Sequence, residues 1–154
     1  MNQKNGILIF LALTFLHPLI FAQDLKKQTV DMSTRDMKSQ NAIIANLFSE
    51  EVSKTLPQKI DQYTQLITVK AEENNVIYTF EINTGVKSDA SVQNEDRSRM
   101  NDAVTQGVCQ SSKRFLDADI NISYLYVSAK TKVKLFRFDI TKERCLVKAI
   151  SAST

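Results

Sequence analysis

The sequence is poor in the residues on which many active sites depend. Its 154 residues contain one histidine, three glycines, two cysteines and no tryptophan. The histidine, His17, lies in an N-terminal segment that we expect to be removed, so the remaining chain has none. A Ser-His-Asp or Cys-His catalytic site and a histidine-ligated zinc site are therefore excluded within one chain. The cysteines are too few for a cysteine-rich metal site, and no phosphate-binding glycine loop is present. We predict no cofactor, no metal and no enzymatic activity.

Carboxylates are the remaining candidates for catalysis. Asp117 and Asp119 lie close together just before a predicted strand, and two nearby carboxylates can perform acid–base chemistry. The alternative, which we favour, is that these short polar side chains satisfy free backbone groups between a helix and a strand.

Basic residues are concentrated in a single run, which consists of Lys130, Lys132, Lys134 and Arg137. The run lies on a predicted hairpin and lacks the aromatic residues that are interleaved with basic ones in proteins that bind single-stranded nucleic acids. We interpret it as the solvated face of a strand and its turn, with a patch for anionic lipid or nucleic acid as the alternative. We expect no nucleic-acid partner.

The N-terminus has the pattern of an export signal. Lys4 precedes an almost wholly apolar run, Ile7 to Phe21, and Ala22 provides a small residue for cleavage. The run has about fifteen residues, fewer than the roughly twenty of a membrane-spanning helix. We predict a signal peptide over 1–22, a flexible leader over 23–34 and a single domain over 35–154. An uncleaved N-terminal anchor is the alternative. Cleavage would leave no stable membrane anchor and a periplasmic or secreted protein.

Apolar periodicity predicts an α+β domain. A helix with Met37, Ile44, Leu47, Phe48 and Val52 on one stripe begins near Arg35 and ends before Pro57. A hairpin over 66–83 follows, in which Val76, Tyr78, Phe80 and Ile82 share one face. A second helix covers about 100–116, and two further strands cover 120–128 and 133–140. We predict one antiparallel four-stranded sheet packed by helices on one face, in the order helix, two strands, helix, two strands.

Cys109 and Cys145 are the only cysteines, and we expect them to form a disulfide bond in an exported chain, because the compartment is oxidising. The bond closes a long loop, for which the chain-entropy account gives roughly 3 to 4 kcal/mol of stabilisation. A redox-active or intermolecular thiol is the alternative, but catalytic cysteine pairs usually lie two residues apart.

A resemblance to known proteins rests on the C-terminal half of the chain. The motif Gly107-Val108-Cys109, the segment from Lys113 to Asp117, the strand over 120–127 and the segment from Asp139 to Cys145 are similar to small exported bacterial proteins known as quorum-sensing-regulated virulence factors. The same pattern resembles the α/β class of type II secretion pilotins. The segment Leu56 to Asp61 fits the first group better.

The two resemblances imply different functions. The first implies an exported protein of no established biochemical activity. The second implies a chaperone that uses a lipid anchor to carry a secretin subunit to the outer membrane, although no cysteine near the predicted cleavage site could accept a lipid here. We therefore expect a non-enzymatic module, virulence-factor-like, that binds a protein or peptide through a sheet edge or a helix–sheet groove. A pilotin-like chaperone that acts without a lipid anchor is the alternative.

Overall fold

The structure is a computed structural model that describes residues 19–151, with side chains described for residues 33–148 and for Ile150. The described residues fall into two compact units, which divide between Met37 and Lys38. In the first unit the described residues, 19–37, are helical. Most of the predicted signal peptide, 1–22, lies outside the described residues, and its cleavage stays a prediction.

The second unit contains the sheet and most of the helices. The helices are α1 (Leu19–Ser53), which spans both units, α2 (Asp89–Gln93), α3 (Ser98–Ser111), α4 (Lys113–Asp117) and α5 (Lys142–Ser151). The strands are β1 (Gln58–Lys59), β2 (Thr64–Glu72), β3 (Asn75–Ile82), β4 (Asn121–Ser128) and β5 (Lys134–Ile140). Residues 23–34, where we expected a flexible leader, are part of α1 in the structure. The division into signal, leader and domain stays a prediction.

No helix within residues 19–151 is both long enough and apolar enough to span a membrane.

The sheet has five strands in the order β1-β2-β3-β4-β5. The hairpins β2–β3 and β4–β5 are antiparallel, whereas β3 and β4 are parallel. The α+β class is confirmed, but the predicted sheet of four antiparallel strands is wrong in strand number and in direction. The connection from β3 to β4 contains three helices and crosses over the sheet. Because of this crossover, β4 runs parallel to β3. β1 has two residues, too few for a detectable alternation.

The main core lies on one face of this sheet. The strand register places Val76, Phe80, Ile122 and Tyr126 on the same face. All four are buried in the core cluster, together with Ala45 of α1, Val108 of α3 and Leu116 of α4. Helices α1, α3 and α4 therefore pack against the side of β3 that carries Val76 and Phe80.

The orientation of α1 differs from the predicted stripe. Phe48 packs against the core, and its ring centroid lies 4.8 Å from that of Phe115. Ile44 and Leu47, which we placed on the same stripe, are 48% and 61% exposed. The small residues Ala45 and Ser49 face inward instead, at 0% and 4% exposure, which turns the buried side of the helix away from Leu47.

The disulfide bond between Cys109 and Cys145 is present, with the two Cα atoms 5.6 Å apart. It joins α3 to α5, a helix that the sequence reading did not predict. The predicted pairing is thus confirmed.

Candidate functional site

A cleft opens where the outer edge of β5 meets the start of α3 and the start of α5. Its volume is about 400 Å³, and we call it the β5 cleft. Three consecutive residues of the edge strand form one wall, and residues near the start of α3 and in the first turn of α5 form the other. The lining residues are Glu95, Asp96, Arg97, Ser98, Asn101, Arg137, Phe138, Asp139 and Arg144.

Two main-chain carbonyls on the outer edge of β5 accept hydrogen bonds from side chains. The Gln93 amide donates to the Lys134 carbonyl at 2.7 Å. The Arg144 guanidinium donates to the Asp139 carbonyl. In an antiparallel pair the N–H and C=O of one residue point to the same side and alternate residues point alike. Since the Asp139 carbonyl points outward, the N–H and C=O of Arg137 also point into the cleft.

The start of α3 is held by Asp96 and Arg97. The Asp96 carboxylate accepts hydrogen bonds from the Ser98 hydroxyl at 2.5 Å and from the Ser98 N–H at 2.9 Å. These bonds lower the pKa of the Asp96 carboxyl. The Arg97 guanidinium lies 4.1 Å from the centroid of the Phe136 ring and donates to the Glu95 carbonyl at 2.8 Å. This wall of the cleft is therefore fixed in place by its own contacts.

The opposite wall is fixed by a network around Ser123, which is 1% exposed. The Ser123 hydroxyl donates to the Asp139 carboxylate at 2.6 Å and accepts from Arg137 at 2.9 Å. Arg137 also donates to Asp139 at 2.6 Å. Burial raises the pKa of the Asp139 carboxyl, but the bonds from Ser123 and Arg137 outweigh burial and leave the pKa below its ordinary value. Asp139 is thus ionised at neutral pH.

In the cleft, carboxylates are more exposed to solvent than two of the guanidinium groups are. The side chains of Asp139 and Glu95 are 58% and 41% exposed, whereas those of Arg137 and Arg97 are 29% and 13% exposed. Arg144 is the exposed cation. A ligand that enters the cleft therefore meets carboxylates and the Arg144 guanidinium at the rim, and main-chain groups of β5 at the wall.

The other edge of the sheet is covered more fully. β1 pairs with β2 at Leu66 and Gln65. Further along β2, the Ser53 hydroxyl at the end of α1 donates to the Val69 carbonyl at 2.9 Å. Native proteins cover sheet edges in this way to prevent unwanted strand pairing. A cleft leaves the β5 edge accessible at Arg137, Phe138 and Asp139.

The acidic pair that we considered for catalysis lies outside the β5 cleft. Asp117 ends α4 and pairs with Lys113 at 2.5 Å, which lowers the pKa of its carboxyl. Asp119 has a φ of 57° in the connection to β4, and its carboxylate is 4.0 Å from the Lys142 ammonium. Both residues are exposed. These placements agree with our preferred interpretation of a polar helix-to-strand connection.

The basic run is divided among separate partners. Lys132 pairs with Glu81, and Arg137 pairs with Asp139. This arrangement agrees with the interpretation of solvated strand and turn residues.

Sequence reasoning missed the β5 cleft because its residues come from three separate segments. We assigned Arg137 to the basic run, and the segment with Glu95 and Asp96 gave no functional signal by itself. The available signal was the sequence Asp96-Arg97-Ser98 ahead of an amphipathic stretch, which is typical of a helix start.

The fold is similar to that of two type II secretion pilotins and of a candidate secreted protein. EpsS, the pilotin of the Vibrio vulnificus type 2 secretion system, matches with a TM-score of 0.58 and 14% identity, over 71% of this chain and 96% of the pilotin. AspS, a type II secretion pilotin of Vibrio cholerae, matches with a TM-score of 0.57 and 14% identity, over 73% of this chain and 99% of the pilotin. A candidate secreted protein of Pseudomonas aeruginosa matches with a TM-score of 0.62 and 15% identity, over 70% of this chain and 96% of that protein. At these identities the likeness shows the fold alone.

The chain belongs to the family described as Domain of unknown function (DUF8479), whose model matches residues 39–136, more than half of the chain. No curated protein matches the sequence significantly. The resemblance to pilotins is confirmed for the fold. The resemblance to quorum-sensing-regulated virulence factors finds no support in these comparisons.

Proposed function

We propose that the protein is an exported, non-enzymatic interaction module that binds a segment of a partner protein in the β5 cleft. The observation that carries the proposal is the position of the cleft along an accessible edge strand. Arg137, Phe138 and Asp139 line it in sequence, and the first and last of them present main-chain groups there. Peptide recognition by a sheet edge uses such groups for affinity.

The rigidity of the cleft supports binding rather than a loose surface contact. The Arg97 guanidinium, the Ser123 network and the Asp96 bonds to Ser98 hold polar groups on both walls. A site whose side chains are already fixed loses less conformational entropy when a partner binds.

A pilotin-like chaperone that acts without a lipid anchor is the second candidate. The likeness of the fold to EpsS and AspS favours it. This candidate predicts that the protein binds a synthetic peptide from the C-terminus of a secretin, in isothermal titration with the oxidised protein. Absence of binding would remove the chaperone hypothesis and leave the interaction module.

Site-specific photocrosslinking tests the main proposal. A benzoylphenylalanine replaces Ser98, which is exposed and lines the cleft, and a matched variant carries the same group at Glu50, which is exposed on α1. Both variants are irradiated in the native envelope and in the culture medium, and the adducts are identified by mass spectrometry. We expect one dominant protein adduct from Ser98 that Glu50 does not form.

The identity and place of the adduct then separate the candidates. A secretin adduct in the envelope indicates the chaperone, and another protein indicates a different interaction module. No adduct from Ser98, or the same adducts from both positions, would contradict binding in the β5 cleft.

A further inference from the structure

We propose that the partner enters the β5 cleft as an extended segment with basic side chains and pairs with the outer edge of β5, taking the places of the Gln93 and Arg144 side chains. This inference rests on the proposed function, since it specifies how the cleft binds. It adds the conformation of the partner, its charge and the groups that it displaces.

First, two outward carbonyls of the β5 edge accept hydrogen bonds from side chains outside the sheet. Gln93 and Arg144 are donors from outside the sheet, and each satisfies one outward carbonyl of β5, at Lys134 and Asp139. They stand where the N–H groups of a neighbouring strand would stand. Both side chains are exposed, so each can rotate into water and leave its carbonyl free.

The second argument is the space beside the edge. A paired strand lies about 4.8 Å from its neighbour. The cleft runs along Arg137, Phe138 and Asp139, opposite residues near the start of α3 and the Arg144 side chain of α5. These three residues of β5 correspond to roughly 10 Å of strand at about 3.4 Å per residue. The bond from Gln93 to the Lys134 carbonyl lies beyond them along the same edge.

The third argument is charge. The exposed Asp96 carboxylate at the rim accepts hydrogen bonds from Ser98, a neutral residue. Glu95 and Asp139 also lie at the rim, but they are paired with Lys87 and Arg137, at 2.7 Å and 2.6 Å. Like charges placed opposite each other destabilise a strand pair and opposite charges stabilise it. The rim therefore favours lysine or arginine in the entering segment, at alternate positions because strand side chains alternate between faces.

Peptide selection followed by backbone methylation tests this binding mode. The probe is a phage-displayed library of random peptides of about ten residues, near the upper length of common strands. The library is selected on the oxidised full-length protein, and binders are retained when they compete with formation of the Ser98 adduct. The best peptide is then synthesised with a methyl group on one main-chain nitrogen at a time.

If the peptide pairs as a strand, the loss of affinity caused by methylation should alternate between successive peptide positions. Each methyl group that blocks an N–H directed at β5 should weaken binding about tenfold, and the positions between them should change little. A helical ligand would instead lose affinity at every internal position, since each internal N–H is bonded within the helix. Such a result, or failure to select any competing peptide, would overturn the inference.

A substitution in the protein gives an independent test. Arg144→Ala removes the side chain that the strand displaces, so the selected peptide should bind about three- to tenfold more tightly. Lys142→Ala removes a cation from the same helical turn, whose ammonium lies 3.5 Å from the Asp117 carbonyl, and should change nothing. Thermal unfolding confirms that both variants are folded. Weaker binding to Arg144→Ala would make Arg144 a ligand contact and overturn displacement.

The two proposals fail in different ways. If Ser98 forms no specific adduct, the cleft is not a binding site and the proposed function falls. If the adduct forms but methylation shows no period of two, the cleft binds its partner in another conformation, and only the strand-pairing inference falls.

Discussion

Asp139 shows how one residue connects the fold to the cleft. Its carboxylate accepts from Ser123 and Arg137, and its carbonyl accepts from Arg144. Because its folded-state pKa lies below the ordinary value of 3.8, the ionised group stabilises the fold above about pH 4. This stabilisation is lost as the pH falls through the folded-state pKa.

We therefore expect Asp139→Asn to lose less stability than the wild type as the pH falls from 5 to below the ordinary carboxyl pKa of 3.8. The difference should be about 1 kcal/mol or less, because the side chain is 58% exposed and water screens the pair. Urea unfolding at several pH values measures it. Ser123→Ala serves as the companion variant: it keeps the carboxylate, and NMR titration should find the Asp139 pKa moved up toward 3.8. If the free energy of unfolding fell equally with decreasing pH in the wild type and in Asp139→Asn, the role assigned to the ionised Asp139 would be contradicted.

At the scale of elements, α1 has one buried side and one apolar exposed side. Phe48 contacts Phe115 and the core, while the adjacent Leu47 is 61% exposed. Phe48→Ala should reduce the free energy of unfolding by roughly 2 to 3 kcal/mol, somewhat below the range for a fully buried phenylalanine. Leu47→Ala is the matched control and should change it by less than about 0.5 kcal/mol. Chemical denaturation of both variants measures the difference, and equal losses would mean that α1 is turned as the sequence stripe predicted.

The elements also show where sequence reasoning succeeds and where it stops. Strict alternation of apolar residues located β3 and β4 because one face of each strand, with Val76 and Ile122, packs in the main core. Alternation carries no information on direction, so the parallel pairing of β3 with β4 was missed. The orientation of α1 was missed because small inward residues, Ala45 and Ser49, give no apolar signal. The helix α5 was missed because Leu146 and Val147 are exposed, which breaks the usual link between apolar character and burial.

At the scale of the whole molecule, the disulfide bond between α3 and α5 constrains the unfolded chain. It spans a sequence separation of 36 residues. The chain-entropy relation for a loop of that length gives about 4 kcal/mol. A Cys109→Ser/Cys145→Ser double variant should lose about that amount in urea unfolding, and a reductant should lower the stability of the wild type to the same level. A loss below about 1 kcal/mol, or a further effect of reductant on the double variant, would contradict this assignment.

The pairing of Cys109 with Cys145 was predictable, since an oxidising compartment and two cysteines leave one intramolecular choice. The β5 cleft was not predictable, because Glu95, Arg137 and Arg144 meet only after the sheet and the α3–α5 contact have formed. Local patterns identify elements, whereas a site built from three segments requires their packing.

Because Arg144 directly precedes Cys145 in α5, we expect the disulfide bond to hold the Arg144 side chain beside the accessible edge of β5. Before the bond forms, α5 is attached by side-chain contacts such as that of Lys148 with Asp102, at 2.6 Å, which water weakens. The Arg144 side chain is then no longer held at the Asp139 carbonyl. An edge strand with free main-chain groups can pair with other chains and aggregate. We expect a precursor kept in its thiol form to need protection from self-association, and the oxidised protein to withstand high concentration. Light scattering of the two forms would reveal the difference.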